Sequence, residues 1–284
     1  MPSFHINQKA DNGDNIDISQ GGQLDNLDSL KDKIIEGIFE APPGKRQIPI
    51  EVMYQGDGAD LYVAYSLSPA YYLYPAERWI IQTYANEISS LIADRSSIIE
   101  LGTGSLEKTQ VLLRAVAQAP QIVYGVDYYA LDINREALVE SLASLPASKK
   151  VKCRGLFGTY NSGLHHVARL RRRSDVEQVP RVFLWLGSGI ENLTVEGAVG
   201  MVKSIADVMA EGDMIIVGMD GWTSDKSINA AYEPADKLVL NISTNVNVIL
   251  GYAVFDMSKF VYSTQLNHLE VATSVVVWHL RLSS

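Results

Sequence analysis

Four short motifs carry residues that could bind a nucleotide-like ligand, and the first is the glycine-containing segment ELGTGSLEKT at 100–109. Gly102 and Gly104 would allow a sharp backbone turn and let a ligand approach without meeting a Cβ atom. The segment matches neither GxGxxG nor GxxxxGK[ST], so it does not favour a dinucleotide or a nucleoside triphosphate. A tight turn that binds no ligand is the alternative for this segment.

The other three motifs each follow an apolar run. Asp132 ends YGVDYYALD, where its carboxylate could accept both hydroxyls of a ribose or could simply cap the following helix. Asp127 is the competing acid, but it lies inside the same run. GTY at 158–160 could border a purine ring. LGSGIEN at 186–192 opens space with its glycines, and its Asn192 could contact a ligand, cap the next helix, or do both.

The elements that must position these motifs are short apolar runs that alternate with helical segments from Ser97 onward. Near-continuous apolar strands joined by helices are typical of a parallel sheet covered on both faces, where ligands bind at the carboxyl ends of the strands. We therefore predict an α/β fold with a doubly wound, mostly parallel, Rossmann-like sheet. The predicted strands are SIIEL, IVYGVDYYALDI, KVKCRGLF, RVFLWLG and DMIIVGMD, with FVYSTQLN and VATSVVVWHLRL as antiparallel strands near a sheet edge.

The chain divides into three predicted parts. Residues 1–24 are rich in Asn, Asp and Gly without a hydrophobic period, which indicates a flexible N-terminal arm. Residues 25–94 contain a helix at about 25–39, a tyrosine-rich stretch and a second, long helix, and we expect this helical segment to contribute to a substrate site. Residues 95–284 form the Rossmann-like domain, with a substrate-binding insertion at about 221–255.

Composition argues against several classes of partner. The formal net charge of −9 provides no overall attraction for nucleic acid, and the basic cluster around Arg171 is more simply a solvated helix end. The sequence lacks an apolar leader and any run of about 18 apolar residues, so we expect no membrane segment and a cytoplasmic location. Cys153 is the only cysteine, and His165 and His166 are adjacent, which predicts neither an intrachain disulfide nor a metal site.

Taken together, ELGTGSLEKT, YYALDIN, GTY, LGSGIEN and the upstream PAYYLYPAE resemble the histidine-specific methyltransferase family over about residues 48–268. That family contains the ergothioneine-pathway histidine N-methyltransferase and the fungal 4-dimethylallyltryptophan N-methyltransferase of ergot alkaloid synthesis. The resemblance implies a class I methyltransferase that uses S-adenosyl-L-methionine. It also implies a small-molecule amine substrate and a place in fungal secondary metabolism.

The resemblance assigns roles to individual residues. It implies a cofactor site that uses Tyr71, Gly102, Lys108, Asp132, Thr159 and Tyr160, beside Gly104 of the same turn. It implies a substrate site that uses Tyr54, Asn192 and Tyr232. Without the resemblance, Lys108 could be a solvated helix residue and the tyrosines could be packing groups.

Three features depart from the family pattern. The loop reads GSGIEN where the family has GSTIGN, so a hydroxyl is lost and a carboxylate, Glu191, is gained. The segment after Tyr232 keeps Asn241, Asn247 and Gly251 but matches loosely around them. The sequence given ends at Ser284, soon after FVYSTQLNHLE, where family members continue for several tens of residues with a Glu/Ser-containing substrate motif that has no visible counterpart here.

The predicted activity is therefore methylation of the amine of histidine, a tryptophan derivative or a related molecule. The amine must attack in its neutral form, and no strong general base is evident, so no residue is assigned as catalytic. A catalytically silent relative that binds cofactor or a partner is the main alternative, motivated by the missing motif. A nicotinamide-dependent oxidoreductase is disfavoured by the form of the glycine segment. The sequence does not specify the oligomeric state.

Overall fold

A computed structural model describes residues 15–18, 27–173, 179–221, 224–269 and 273–282. Its centre is a six-stranded sheet whose strand pairs are all parallel. The strands are β1 (Asn15–Asp17), β2 (Ser97–Leu101), β3 (Val126–Asp132), β4 (Val151–Phe157), β5 (Arg181–Trp185) and β6 (Met214–Val217). Their order is β1-β4-β3-β2-β5-β6, so the winding reverses at β2, where β3 lies on one side and β5 on the other. The predicted parallel sheet is confirmed.

Helices cover both faces of this sheet. The helices are α1 (Leu27–Ile35), α2 (Gly58–Ser66), α3 (Leu73–Ser90), α4 (Glu107–Gln118), α5 (Arg135–Ser144), α6 (Tyr160–Arg173), α7 (Val195–Val208), α8 (Asp225–Tyr232) and α9 (Asp236–Leu250). Successive strand residues point to opposite faces, as Ile98 and Ile99 of β2 show. Ile98 packs in the core that includes α3, α4 and α5, and Ile99 packs in the core that includes α6 and α7.

The region predicted to be a flexible arm differs from that expectation. β1 pairs in parallel with β4, and the Ile18 amide donates to the Phe157 carbonyl over 3.0 Å. Ile18 is only 5% exposed and packs beneath the sheet. β1 has only three residues, and two of them are polar. So short a segment gives no hydrophobic period, and the sequence alone does not predict this edge strand. The remaining residues of the predicted arm lie outside the described ranges.

The N-terminal helical segment and the predicted insertion pack together. Helices α1 to α3 share a third hydrophobic core with α8 and α9, which includes Ile34, Met53, Leu238 and Val246. The predicted long helix is confirmed as α3, and the helical region after residue 224 consists of α8 and α9. None of the helices in the described ranges is long and apolar enough to cross a membrane.

The last two strands, β7 (Phe260–Leu269) and β8 (Thr273–Leu282), pair antiparallel, as predicted. They form a separate two-stranded sheet and, within the described ranges, do not pair with a strand of the main sheet. The hairpin instead packs on the helical core, where the Tyr262 hydroxyl donates to the Tyr232 carbonyl over 2.5 Å.

Candidate functional site

The glycine turn between β2 and α4 lies at the carboxyl end of the central strand. Gly102 and Gly104 have φ angles of 70° and 54°, in the left-handed region that favours glycine. The Gly102 amide donates to the Leu131 carbonyl over 2.9 Å, which ties the turn to the end of β3. A Cβ atom at Gly102 would lie 2.7 Å from the Tyr160 hydroxyl, whereas one at Gly104 would meet no atom within 4 Å. The turn is therefore closed on one side and open on the other.

Asp132 lies beside this turn at the end of β3. Its Oδ2 accepts from the Gly104 amide over 3.3 Å, and its Oδ1 accepts from the Asn134 amide over 2.9 Å. Burial raises the pKa of the Asp132 carboxyl, and the backbone amides partly offset that rise. The side-chain cap of α5 is Asn134, whose Oδ1 accepts from the Ala137 amide over 3.0 Å. The competing acid, Asp127, lies near the start of β3 and pairs with Arg154 over 2.5 Å.

The GTY motif follows β4 and places Tyr160 across from the glycine turn. Thr159 Oγ1 accepts from the Ser162 amide over 3.3 Å at the start of α6. The Tyr160 ring meets the Trp185 ring edge-on, with centroids 5.5 Å apart and an interplanar angle of 77°. Burial raises the pKa of Tyr160 to about 12, so it is a neutral phenol at physiological pH. Its hydroxyl faces the space between Gly102 and Gly189.

Lys108 forms an ion pair that the sequence analysis did not predict. Its Nζ pairs with Glu77 Oε2, and it lies 5.5 Å from the centroid of the Tyr74 ring. The other carboxylate oxygen, Oε1, accepts from the Gly187 amide over 2.7 Å. Glu77 stands at the end of the motif PAYYLYPAE, but a glutamate in the first turns of a helix is usually solvated, so the motif alone did not single it out.

Two of the predicted substrate residues meet directly. Asn192 Nδ2 donates to the Tyr54 hydroxyl over 3.3 Å, and Asn134 Nδ2 donates to the Tyr54 carbonyl over 3.3 Å. Burial raises the pKa of Tyr54 well above its usual value. The turn that carries Tyr54 is held by Asn245 of α9, whose Nδ2 donates to the Val52 carbonyl over 3.0 Å and to the Gln55 carbonyl over 2.8 Å. Asn245 was not predicted, because only a long-range contact identifies it.

Tyr71 and Tyr232 belong to a tyrosine cluster formed by Tyr54, Tyr62, Tyr65, Tyr71 and Tyr232. The Tyr71 ring lies 4.6 Å from that of Tyr65 and 6.3 Å from that of Tyr232, and Tyr71 is only 6% exposed. Burial raises the pKa of both Tyr71 and Tyr232. The structure thus groups Tyr71 with the predicted substrate residues, while its predicted contact with the cofactor stays a prediction.

Glu191, the carboxylate that departs from the family pattern, joins two loops. Its Oε1 accepts from the Asp220 amide over 2.7 Å, and the Tyr72 hydroxyl donates to Asp220 Oδ2 over 2.5 Å. Burial raises the pKa of Glu191. Within the described ranges, no group of three or more His, Cys, Asp and Glu side chains is arranged to hold a metal ion.

Comparison with known proteins gives a consistent family. A family model described as histidine-specific methyltransferase, SAM-dependent, matches residues 30–281. Ergothioneine biosynthesis protein 1 of Neurospora crassa is 33% identical over 254 residues, which cover 88% of this chain and 28% of that protein. An L-tryptophan methyltransferase of Psilocybe serbica is 32% identical over 222 residues, covering 72% of this chain and 61% of that protein. An N-methyltransferase of Aspergillus flavus is 28% identical over 254 residues, with coverages of 85% and 69%.

Proposed function

This chain belongs to the histidine-specific, S-adenosylmethionine-dependent methyltransferase family, and we propose that it methylates the amine of an amino acid or an amino-acid derivative. Histidine and tryptophan-type molecules are the proposed substrates, since relatives are named for ergothioneine biosynthesis and for tryptophan methylation. Those relatives come from fungi, which supports a role in fungal amino-acid-derived metabolism. Their names favour an enzyme over a silent binding protein.

One observation carries the proposal: the glycine turn, Asp132 and Tyr160 converge at the carboxyl ends of adjacent parallel strands. The Gly104 amide reaches Asp132 over 3.3 Å, and the Tyr160 hydroxyl closes the side of the turn next to Gly102. A parallel sheet binds its ligands at this edge, next to the strand where the winding reverses. The predicted cofactor residues Gly102, Gly104, Asp132 and Tyr160 therefore lie around one space.

The residues around that space fit an adenosyl cofactor. Asp132 offers a carboxylate to ribose hydroxyls, and the open side of Gly104 admits a ligand close to the backbone. Lys108 lies on the following helix, where its charge would suit the cofactor's carboxylate.

The mechanism needs positioning more than acid or base chemistry. S-adenosylmethionine, when bound, supplies a methyl group already activated by its sulfonium. Tyr54 and Asn192 would orient the acceptor, since a phenol and an amide make directed hydrogen bonds. The buried tyrosine cluster would disfavour the charged ammonium form and leave the nucleophilic amine. Holding the reacting groups in line can contribute about 7 to 11 kcal/mol.

Isothermal titration with S-adenosylmethionine, followed by a methylation screen across free amino acids and tryptophan derivatives, tests the proposal. Mass spectrometry should show one or more added methyl groups on at least one amine. The Asp132→Asn variant should bind the cofactor more weakly, because an amide loses the charged acceptor for the ribose. Asp127→Asn is the matched control on the same strand and should leave binding unchanged. A wild-type chain that binds no cofactor at millimolar concentration would overturn the proposal.

A further inference from the structure

Glu77 connects three segments that surround the cofactor space. It lies on α3, while Lys108 lies on α4 and Gly187 follows β5. One carboxylate oxygen pairs with Lys108, and the other accepts from the Gly187 amide over 2.7 Å. The Lys108 and Glu77 side chains are only 17% and 16% exposed, so water screens this pair less than a surface ion pair.

Two glycines adjoin the Glu77–Lys108 pair. A Cβ atom at Gly218 would overlap Glu77 Oε1, so the carboxylate occupies the space that a side chain at position 218 would fill. A Cβ atom at Gly187 would lie 3.3 Å from Lys108 Nζ. Glycines on the loops after β5 and β6 thus leave space for the ion pair beside the crevice between β2 and β5.

This crevice lies where the winding of the sheet reverses. The loops after β2 and β5 separate there, because α4 packs on one face of the sheet and α7 on the other. Glu77 spans the opening by holding the loop after β5 with one oxygen and the lysine after β2 with the other.

We infer that Glu77 is a positioning residue for the cofactor, which holds Lys108 and the Gly187 loop in the geometry that binds the cofactor's charged amino-acid end. This inference rests on the proposed function. The ion pair has a second physical consequence with the opposite sign: Glu77 partly neutralises Lys108 and would repel an approaching carboxylate. Removing the Glu77 charge separates these two effects. Weaker cofactor binding would show that Glu77 holds Lys108 in place, and tighter binding would show that Glu77 repels the cofactor's carboxylate.

Titration of S-adenosylmethionine into Glu77→Gln provides the test. The glutamine keeps an acceptor for the Gly187 amide but loses the ion pair with Lys108. We expect binding to weaken about 10-fold, within the range of couplings in one hydrogen-bond network. In a Lys108→Met background, Glu77→Gln should cause no further loss, because its effect acts through Lys108. Equal or tighter binding by Glu77→Gln, or full additivity with Lys108→Met, contradicts the inference.

Gly218→Ala tests the same contact from the other side and does not alter any charge. The added methyl group should displace the Glu77 carboxylate and weaken cofactor binding, and this loss should disappear in a Glu77→Ala background. Gly200→Ala is the control, since a Cβ atom there meets nothing within 4 Å. If the wild-type chain binds cofactor and these variants bind it equally well, only the role of Glu77 is overturned. If the wild-type chain does not bind it, the proposed function itself is overturned.

Discussion

Two separate requirements favour glycine at position 102, one from the backbone conformation and one from a neighbouring side chain. Its φ of 70° lies in the left-handed region, and the Tyr160 hydroxyl occupies the space that a Cβ atom would need. The first requirement belongs to the backbone alone. The second belongs to the site, since it sets how closely Tyr160 approaches the turn.

A pair of glycine variants separates these two requirements. Gly44 also has a left-handed φ, of 85°, but a Cβ atom there would meet nothing within 4 Å. Gly44→Ala should therefore cost only the backbone strain, about 1 kcal/mol. Gly102→Ala should cost more and should also weaken cofactor binding, because it displaces Tyr160. Chemical denaturation and cofactor titration measure the two effects; equal losses of stability with unchanged binding would contradict the expectation.

Glu100 is a buried acid whose state depends on pH. It is 2% exposed, and it accepts from the Tyr128 hydroxyl over 2.5 Å and from the Thr109 hydroxyl over 2.7 Å. Burial raises the pKa of Glu100 to about 7, and the two hydroxyls limit the rise. The folded chain therefore binds this proton more tightly than the unfolded chain between about pH 4.5 and pH 7.

This difference in proton binding predicts that the free energy of unfolding falls as the pH rises. The contribution of Glu100 to stability is fully present below the unfolded pKa and is lost as the pH rises through the folded pKa of about 7, by about 3 kcal/mol in all. Glu100→Gln cannot ionise, so its free energy of unfolding should rise relative to wild type between pH 5 and pH 7.5. Urea unfolding of both proteins at the two pH values measures this. Parallel pH dependences in the two proteins would contradict the prediction.

Helix α9 supports the turn that carries the predicted substrate residue Tyr54. Asn245 holds the turn that carries Tyr54, and two residues later Asn247 holds another turn. Asn247 Nδ2 donates to the Phe255 carbonyl over 2.8 Å, and its Oδ1 accepts from the Val254 amide over 2.7 Å. The two asparagines make similar bonds, but only the first is linked to a predicted substrate residue.

This contrast gives a matched pair of variants. Asn245→Ala and Asn247→Ala should each lower the free energy of unfolding by about 1 to 3 kcal/mol, because each leaves buried or partly buried backbone groups without their side-chain partner. Only Asn245→Ala should also raise the KM for the amine, since Tyr54 loses its support. Steady-state kinetics at saturating cofactor would show the difference. An equal rise in KM in both variants would assign the effect to general destabilisation.

The sequence predicted the central strands and the connecting helices well, and the reason is physical. Strands buried on both faces are apolar along their length, so β2 and β5 can be predicted from their own residues alone. β1 is short and polar, and only its pairing with β4 defines it. At the site, Gly102 and Asp132 could be predicted from local pattern and resemblance. Glu77 and Asn245 could not, because their roles depend on partners far away in the sequence.

The described residues form three hydrophobic cores. Two cores lie on the faces of the sheet, and the third joins α1 to α3 with α8 and α9. The candidate site lies between them, since most of the predicted cofactor residues lie at the carboxyl ends of the strands and Tyr54, Tyr71 and Tyr232 belong to the helical core. A movement of the helical core relative to the sheet would therefore change the distance between the predicted cofactor residues and the predicted substrate residues.

A substitution in the segment that contains β1 tests whether this strand unfolds together with the rest of the sheet. Ile18 packs in the same core as Phe183 and Trp185. Ile18→Ala should lower the free energy of global unfolding by about 2 to 4 kcal/mol, the usual range for a buried isoleucine. Val123→Ala is the control, since Val123 is 65% exposed and should change stability little. Urea denaturation would measure both; no loss of stability in Ile18→Ala would show that β1 opens independently of the sheet.

The pairing of β1 with β4 also constrains the order in which the chain can assemble. Asn15 lies opposite Gly155, so β1 has no partner until the chain has been synthesised beyond the middle of its length. Closing so long a loop is entropically costly before the rest of the sheet exists. During synthesis, β1 therefore stays unpaired until the residues of β4 have been added to the chain.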